Sequence, residues 1–190
     1  MEGIFTLPYS EYDSINTVSK LLKKSDGYGF YIPVSRQQKG TDFIIMNHKN
    51  GKSLRVQVKS SRSYIAHKSK RKTIEKCRNH LWFNNFLDRY DEGNADLYLL
   101  YGLYPQFKDG NRVTSKDKSW KSIILCFSEP EMFNFLKEVK TKKEKKSDKF
   151  FGLEFDNPDK ITTERGFVEK REMTDHLVER YINKITEMLK

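Results

Sequence analysis

Gly40-Thr41-Asp42-Phe43-Ile44-Ile45 and, beyond a turn, Arg55-Val56-Gln57-Val58-Lys59-Ser60-Ser61 decide how this chain reads. The first stretch places an acid at the front of an apolar strand. The second alternates, so Leu54, Val56 and Val58 fall on one face and Arg55, Gln57 and Lys59 on the other. Between them Asn47-His48-Lys49-Asn50-Gly51 carries hairpin turn chemistry. Asp42 and Lys59 are 17 positions apart, and an antiparallel hairpin brings them to one end of a sheet. An acid and a Lys so placed can hold a divalent metal and a water, or a phosphate.

The flanking segments extend this hairpin into a sheet with helices. Ser10 is expected to cap a helix beginning near Glu11, with Ile15, Val18, Leu21 and Leu22 on its buried face and Gly27 past its end. Phe30 to Val34 reads as a strand. His80 to Tyr90, dense in Leu81, Trp82, Phe83, Phe86 and Leu87, reads as a helix or helix-like segment. Ala95 to Leu103 is apolar without alternation and therefore predicts a central strand covered on both faces. Trp120 to Phe127 predicts another strand, Ser128-Glu129-Pro130 opens a helix, and Phe150 to Phe155 predicts a short strand. Glu172 to Lys190 predicts a final helix whose stripe, from Met173 and Leu177 to Tyr181, Ile185 and Leu189, can dock on the sheet or on a second copy. The expected fold is α/β (α+β), a mixed central β-sheet flanked by helices. A single domain over 1–190 is expected, its motif-bearing core in 1–127 and a helical C-terminal extension in 128–190.

Composition sets the partner class. The chain of 190 residues carries 36 Lys and Arg against 26 Asp and Glu, a formal charge of +10. Such a balance favours a polyanion, because basic side chains release counterions when they neutralise phosphates. Lys52 to Lys72 holds eight Lys or Arg and no acid. Arg55, Ser60, Ser61, Arg62, Lys68, Lys70, Arg71 and Lys72, with Arg36 and Lys39 on the other flank of Asp42, form the expected backbone track. Cys77 and Cys126 form no disulfide framework. No apolar run reaches membrane-spanning length and the N-terminus lacks signal-peptide order, so a cytoplasmic protein without a membrane partner is expected. Zinc spacings of Cys and His are absent, as is a Gly-rich phosphate loop.

A helix acid, Gly-Thr-Asp opening a strand and Gln-Val-Lys closing the next resemble the PD-(D/E)xK nuclease superfamily, in the branch with Gln at the third position that includes Holliday-junction-resolvase-like and restriction-endonuclease-like members. The resemblance covers roughly Glu11 to Ser61. Thr41 stands where the eponymous Pro would be, and Gln57 replaces an acid. The resemblance implies a restriction-endonuclease-like core and hydrolysis of phosphodiester bonds in DNA. It implies Mg2+, replaceable by Mn2+, held by Asp42, Gln57, Glu11 and the main-chain carbonyl at Val58, with Lys59 positioning the water. It also implies a possible homodimer through the C-terminal helix. Two other readings stay open at this point: a non-catalytic nucleic-acid-binding module with the same fold, and an interaction domain that is basic only for solubility.

Overall fold

The protein is seen as a computed structural model that describes residues 8–33, 40–65, 79–84, 86, 90–107, 118–140 and 148–190. Its architecture is mixed α/β. A five-stranded sheet is built from β1 (Tyr28–Tyr31), β2 (Phe43–Asn47), β3 (Ser53–Arg62), β6 (Leu97–Phe107) and β7 (Lys118–Ser128), in that spatial order. A second sheet has the order β4 (Tyr64–Ile65), β5 (Asn79–Asn84), β8 (Phe150–Phe155) and β9 (Thr162–Thr163). The helices are α1 (Tyr9–Leu21), α2 (Glu129–Lys137) and α3 (Val178–Met188).

In the main sheet β1, β2 and β3 form an antiparallel meander, β6 lies parallel to β3, and β7 returns antiparallel to β6. The parallel step requires a long crossover, and residues 63–96 supply it. β6 is central, as its unbroken apolar run predicts: Leu97 and Leu99 are fully buried on one face, Leu100 on the other.

The two faces have separate cores. On one, Val18 of α1 with Leu22 just past its end, and Val178 and Ile185 of α3 with Leu189 just past its end, pack on Val56, Leu97, Leu99 and Cys126. On the other, Leu100, Leu125 and Phe127 meet Met132 and Phe135 of α2 and, from the second sheet, Leu81, Phe83, Phe151 and Leu153. Gly102 permits this second packing: a Cβ there would lie 2.3 Å from Leu81 Cδ1. The apolar stripe of α3 is thus spent inside the chain, with Ile185 and Leu189 fully buried. Asn47 and Asn50 of the hairpin turn donate to the Leu189 carbonyl at 3.0 and 2.8 Å, satisfying the end of α3.

Several expectations need correction. Residues 79–84 form a strand, not a helix, because Leu81 and Phe83 must lie between the main sheet and β8. Pro8, not Ser10, stands at the start of α1, so Ser10 falls within the first turn. The last helix begins at Val178, because Thr162 bridges to Glu172 and a 3-10 turn follows at Thr174–His176. Residues 128–190 supply β8 and β9 as well as helices. Among the described residues no helix is long and apolar enough to cross a membrane.

The start of α2 follows from Ser128-Glu129-Pro130-Glu131, a capping box with Pro in the first turn. Ser128 N–H donates to Glu131 Oε2 at 2.9 Å, and Tyr181 and Lys184 of α3 reach the same carboxylate. Burial opposes ionisation of Glu131, but the bonds from Lys184, Tyr181 and Ser128 outweigh it and hold the carboxyl at about 2. A carboxyl depressed on folding adds stability above its unfolded pKa of about 4.3. That contribution drains away as the pH falls from there towards about 2. Glu131→Gln should therefore be less stable at neutral pH and lose less further stability between roughly pH 5 and pH 2.5 than the parent. Urea unfolding across that range checks this.

Candidate active site

The register of the hairpin assembles the residues singled out above. Phe43 pairs with Val56, so Asp42 enters the ladder opposite Gln57. Asp42 N–H donates to the Val56 carbonyl at 2.8 Å, and its Oδ2 accepts the Val58 N–H at 2.6 Å. The carboxylate thus continues the ladder by one rung where β2 begins. A carboxylate has about four acceptor positions, so this bond does not exhaust its capacity.

Alternation decides the face. Phe43 and Val56 are in the core under α1 and α3, which leaves Asp42, Gln57 and Lys59 to the opposite side. Gln57 is nearly buried at 9% exposure, and Lys59 Nζ stands 5.6 Å from the centre of the Phe86 ring. One carboxylate, one amide and one ammonium are therefore neighbours along one strand pair, with the Val58 main chain between the last two.

Glu11 comes from elsewhere. α1 packs on the face that carries Val56 and Leu99, across the sheet from Gln57 and Lys59. The acid of α1 whose sheet contacts are defined is Asp13, which accepts from Tyr101 Oη at 2.9 Å and Ser122 Oγ at 2.7 Å. Burial, together with the bond to Asp13, pushes the Tyr101 phenol well above its ordinary range.

The expected backbone track is partly committed to the fold. Arg55 grips Asp96 through its main-chain N–H at 2.8 Å, Nε at 3.1 Å and Nη2 at 2.9 Å. The bond to Asp96 raises the Arg55 pKa, while burial of Asp96 is outweighed by Arg55 and the carboxyl is lowered. This pair fixes the start of β6 beside β3. It is partly exposed, so its expected worth is no more than about 1 kcal/mol. Ser61 Oγ accepts the Trp82 N–H at 2.8 Å and so ties β5 to β3. Ser60 remains exposed, and Arg62 lies over the Trp120 ring at 4.6 Å on the surface. Arg36, Lys39, Lys68, Lys70, Arg71 and Lys72 lie outside the described residues.

One cluster has no counterpart in the sequence reading. His80 on β5 pairs with Glu154 on β8, and Glu164 follows β9. Ligand atoms of His80, Glu154 and Glu164 all lie within 4.8 Å of one another, and the group could hold a metal ion. Assigning residues 80–90 to a helix hid this, since the meeting depends on the β5–β8 register. The one available signal was an acid inside the apolar run Phe150-Phe151-Gly152-Leu153-Glu154-Phe155. No protein-family model, no curated protein and no solved structure matches this chain.

Proposed function

We propose that this chain is a metal-dependent endonuclease of the PD-(D/E)xK type, hydrolysing phosphodiester bonds in DNA. The observation that carries the reading is the register placing Asp42 beside Gln57 and two positions from Lys59, on one face. An antiparallel meander followed by a strand parallel to its last member supports it further.

The donor set suits Mg2+. It comprises the Asp42 carboxylate, the Gln57 amide oxygen and the Val58 carbonyl, all oxygens, with room in the coordination shell for waters and phosphate. Mg2+ bound there would acidify a water and offset charge on the phosphate. Asp42 orients its carboxylate through the Val58 N–H. Lys59 holds its ammonium beside the scissile group, positioning the attacking water and countering negative charge as it builds up. Glu11 is left out of this set, because α1 packs on the other face of the sheet. The basic residues of 66–72 would contact the backbone, whereas Ser60 and Arg62 fall with Val56 and Val58 on the other face of β3. A homodimer would have to use a face of α3 other than its buried stripe. Free, fully buried Cys126 accords with a cytoplasmic site of action.

A second reading is a binding module without catalysis. It is favoured by the structural bond of Asp42 to Val58 and by the neutral amide of Gln57. Incubation of supercoiled plasmid and branched DNA with the protein, in Mg2+ or in EDTA, separates the two. Nicking that needs Mg2+ and is lost in Lys59→Met is the expected result. Salt-sensitive DNA binding with no cleavage by the parent chain would hand the case to the binding module.

A further inference from the structure

We infer that His80, Glu154 and Glu164 form a second, structural metal site, selective for a first-row transition ion and separate from Asp42. His80 Nδ1 lies 2.7 Å from Glu164 Oε2 and 4.0 Å from Glu154 Oε2. The second separation is too long for a hydrogen bond. It matches two ligands that share one ion, since bonds of about 2.1 Å place such atoms up to about 4.2 Å apart.

Burial sharpens the case. Glu154 is 1% exposed and His80 6%, so two of the three ligands are shielded from water, while the more open Glu164 side chain leaves an ion a way in. Lys170 pairs with Glu154 Oε1, which turns the other oxygen towards His80. With His80 neutral, one buried and one half-buried carboxylate face the Lys170 ammonium and leave a negative balance, and a buried charge is costly unless compensated. A divalent cation between Glu154 and Glu164 compensates it. One imidazole nitrogen with two carboxylates suits Zn2+, Mn2+ or Co2+ better than Mg2+, which favours oxygen and keeps its waters. On binding, Nδ1 of the neutral ring presents its lone pair to the ion, and the one ring hydrogen sits on Nε2, having moved there through solvent from Nδ1, where it faces Glu164 before the ion enters. The ion would pin β5, β8 and the segment after β9 together, at the layer that covers the main sheet.

Co2+ is the probe, added to an Asp42→Asn chain so that the first site does not compete. One equivalent is expected to bind with a visible absorption band distinct from that of the aqueous ion, and to raise the melting temperature. Glu164→Gln, whose side chain is 23% exposed and keeps its shape, should bind at least tenfold more weakly. In the unsubstituted chain with 15N-labelled histidine, one equivalent of Zn2+ should shift the Nδ1 resonance of His80. A cobalt spectrum that stays aqueous, affinity unchanged in Glu164→Gln, or His80 nitrogens unmoved by Zn2+ would each overturn the site. None of these readouts depends on DNA cleavage.

Discussion

Asp42→Asn is expected to lower the Mg2+-dependent cleavage rate by about 100-fold or more while leaving the fold almost unchanged. Asn retains an acceptor oxygen for the Val58 N–H, the bond that Asp42 makes at 2.6 Å where β2 enters the sheet. It loses the charge, and Asp42 is the one carboxylate that the hairpin delivers to the cluster. A factor of 100 is about 2.7 kcal/mol of transition-state stabilisation, within reach of a single metal-binding acid. Single-turnover cleavage at saturating Mg2+ checks the rate, and thermal unfolding should show a change of less than about 1 kcal/mol. A variant that cuts at the parental rate would mean that Asp42 serves only the ladder.

Phe151→Ala is the largest stability effect expected, a loss of about 3–5 kcal/mol. Phe151 is fully buried on β8. Its ring stacks on Phe83 at 5.2 Å and meets Phe135 of α2 edge-on at 5.1 Å and Phe86 at 6.1 Å. It therefore joins the second sheet, α2 and the segment next to Lys59 in one packed layer. Removing the ring leaves a cavity bounded by three other aromatics that cannot all close onto it. Urea unfolding should show the loss directly, with a melting temperature lower by on the order of 10 °C. Val168→Ala, at a side chain that is 53% exposed, should change stability by less than about 0.5 kcal/mol.

What could be read from the residues was what local spacing decides. The hairpin was legible because Leu54, Val56 and Val58 alternate against Arg55, Gln57 and Lys59, and because Asn47 to Gly51 carries turn chemistry. β6 was legible from the absence of alternation, and α2 from Ser128-Glu129-Pro130. β5 was not, because a short apolar run covered on both faces has no period to separate strand from helix. That error carried the His80 cluster with it, since Glu154 lies 74 positions further along and meets His80 only through strand pairing. The Arg55–Asp96 clamp was hidden for the same reason: it needs the parallel step from β3 to β6, which no local pattern encodes. Glu11 and Asp13 sit two apart in the same first turns, and spacing alone did not tell that Asp13 meets Tyr101 and Ser122 of the sheet.

The central claim is that β2 and β3 bring Asp42, Gln57 and Lys59 to one cation-binding spot. Anomalous scattering from a crystal soaked in Mn2+ tests it most directly. The account predicts a manganese peak about 2.2 Å from the Asp42 carboxylate, shared with the Gln57 amide oxygen or the Val58 carbonyl, with the Lys59 ammonium alongside. Manganese found only at the His80 cluster, with Asp42 still bound to the Val58 N–H and no density beside it, would contradict the account.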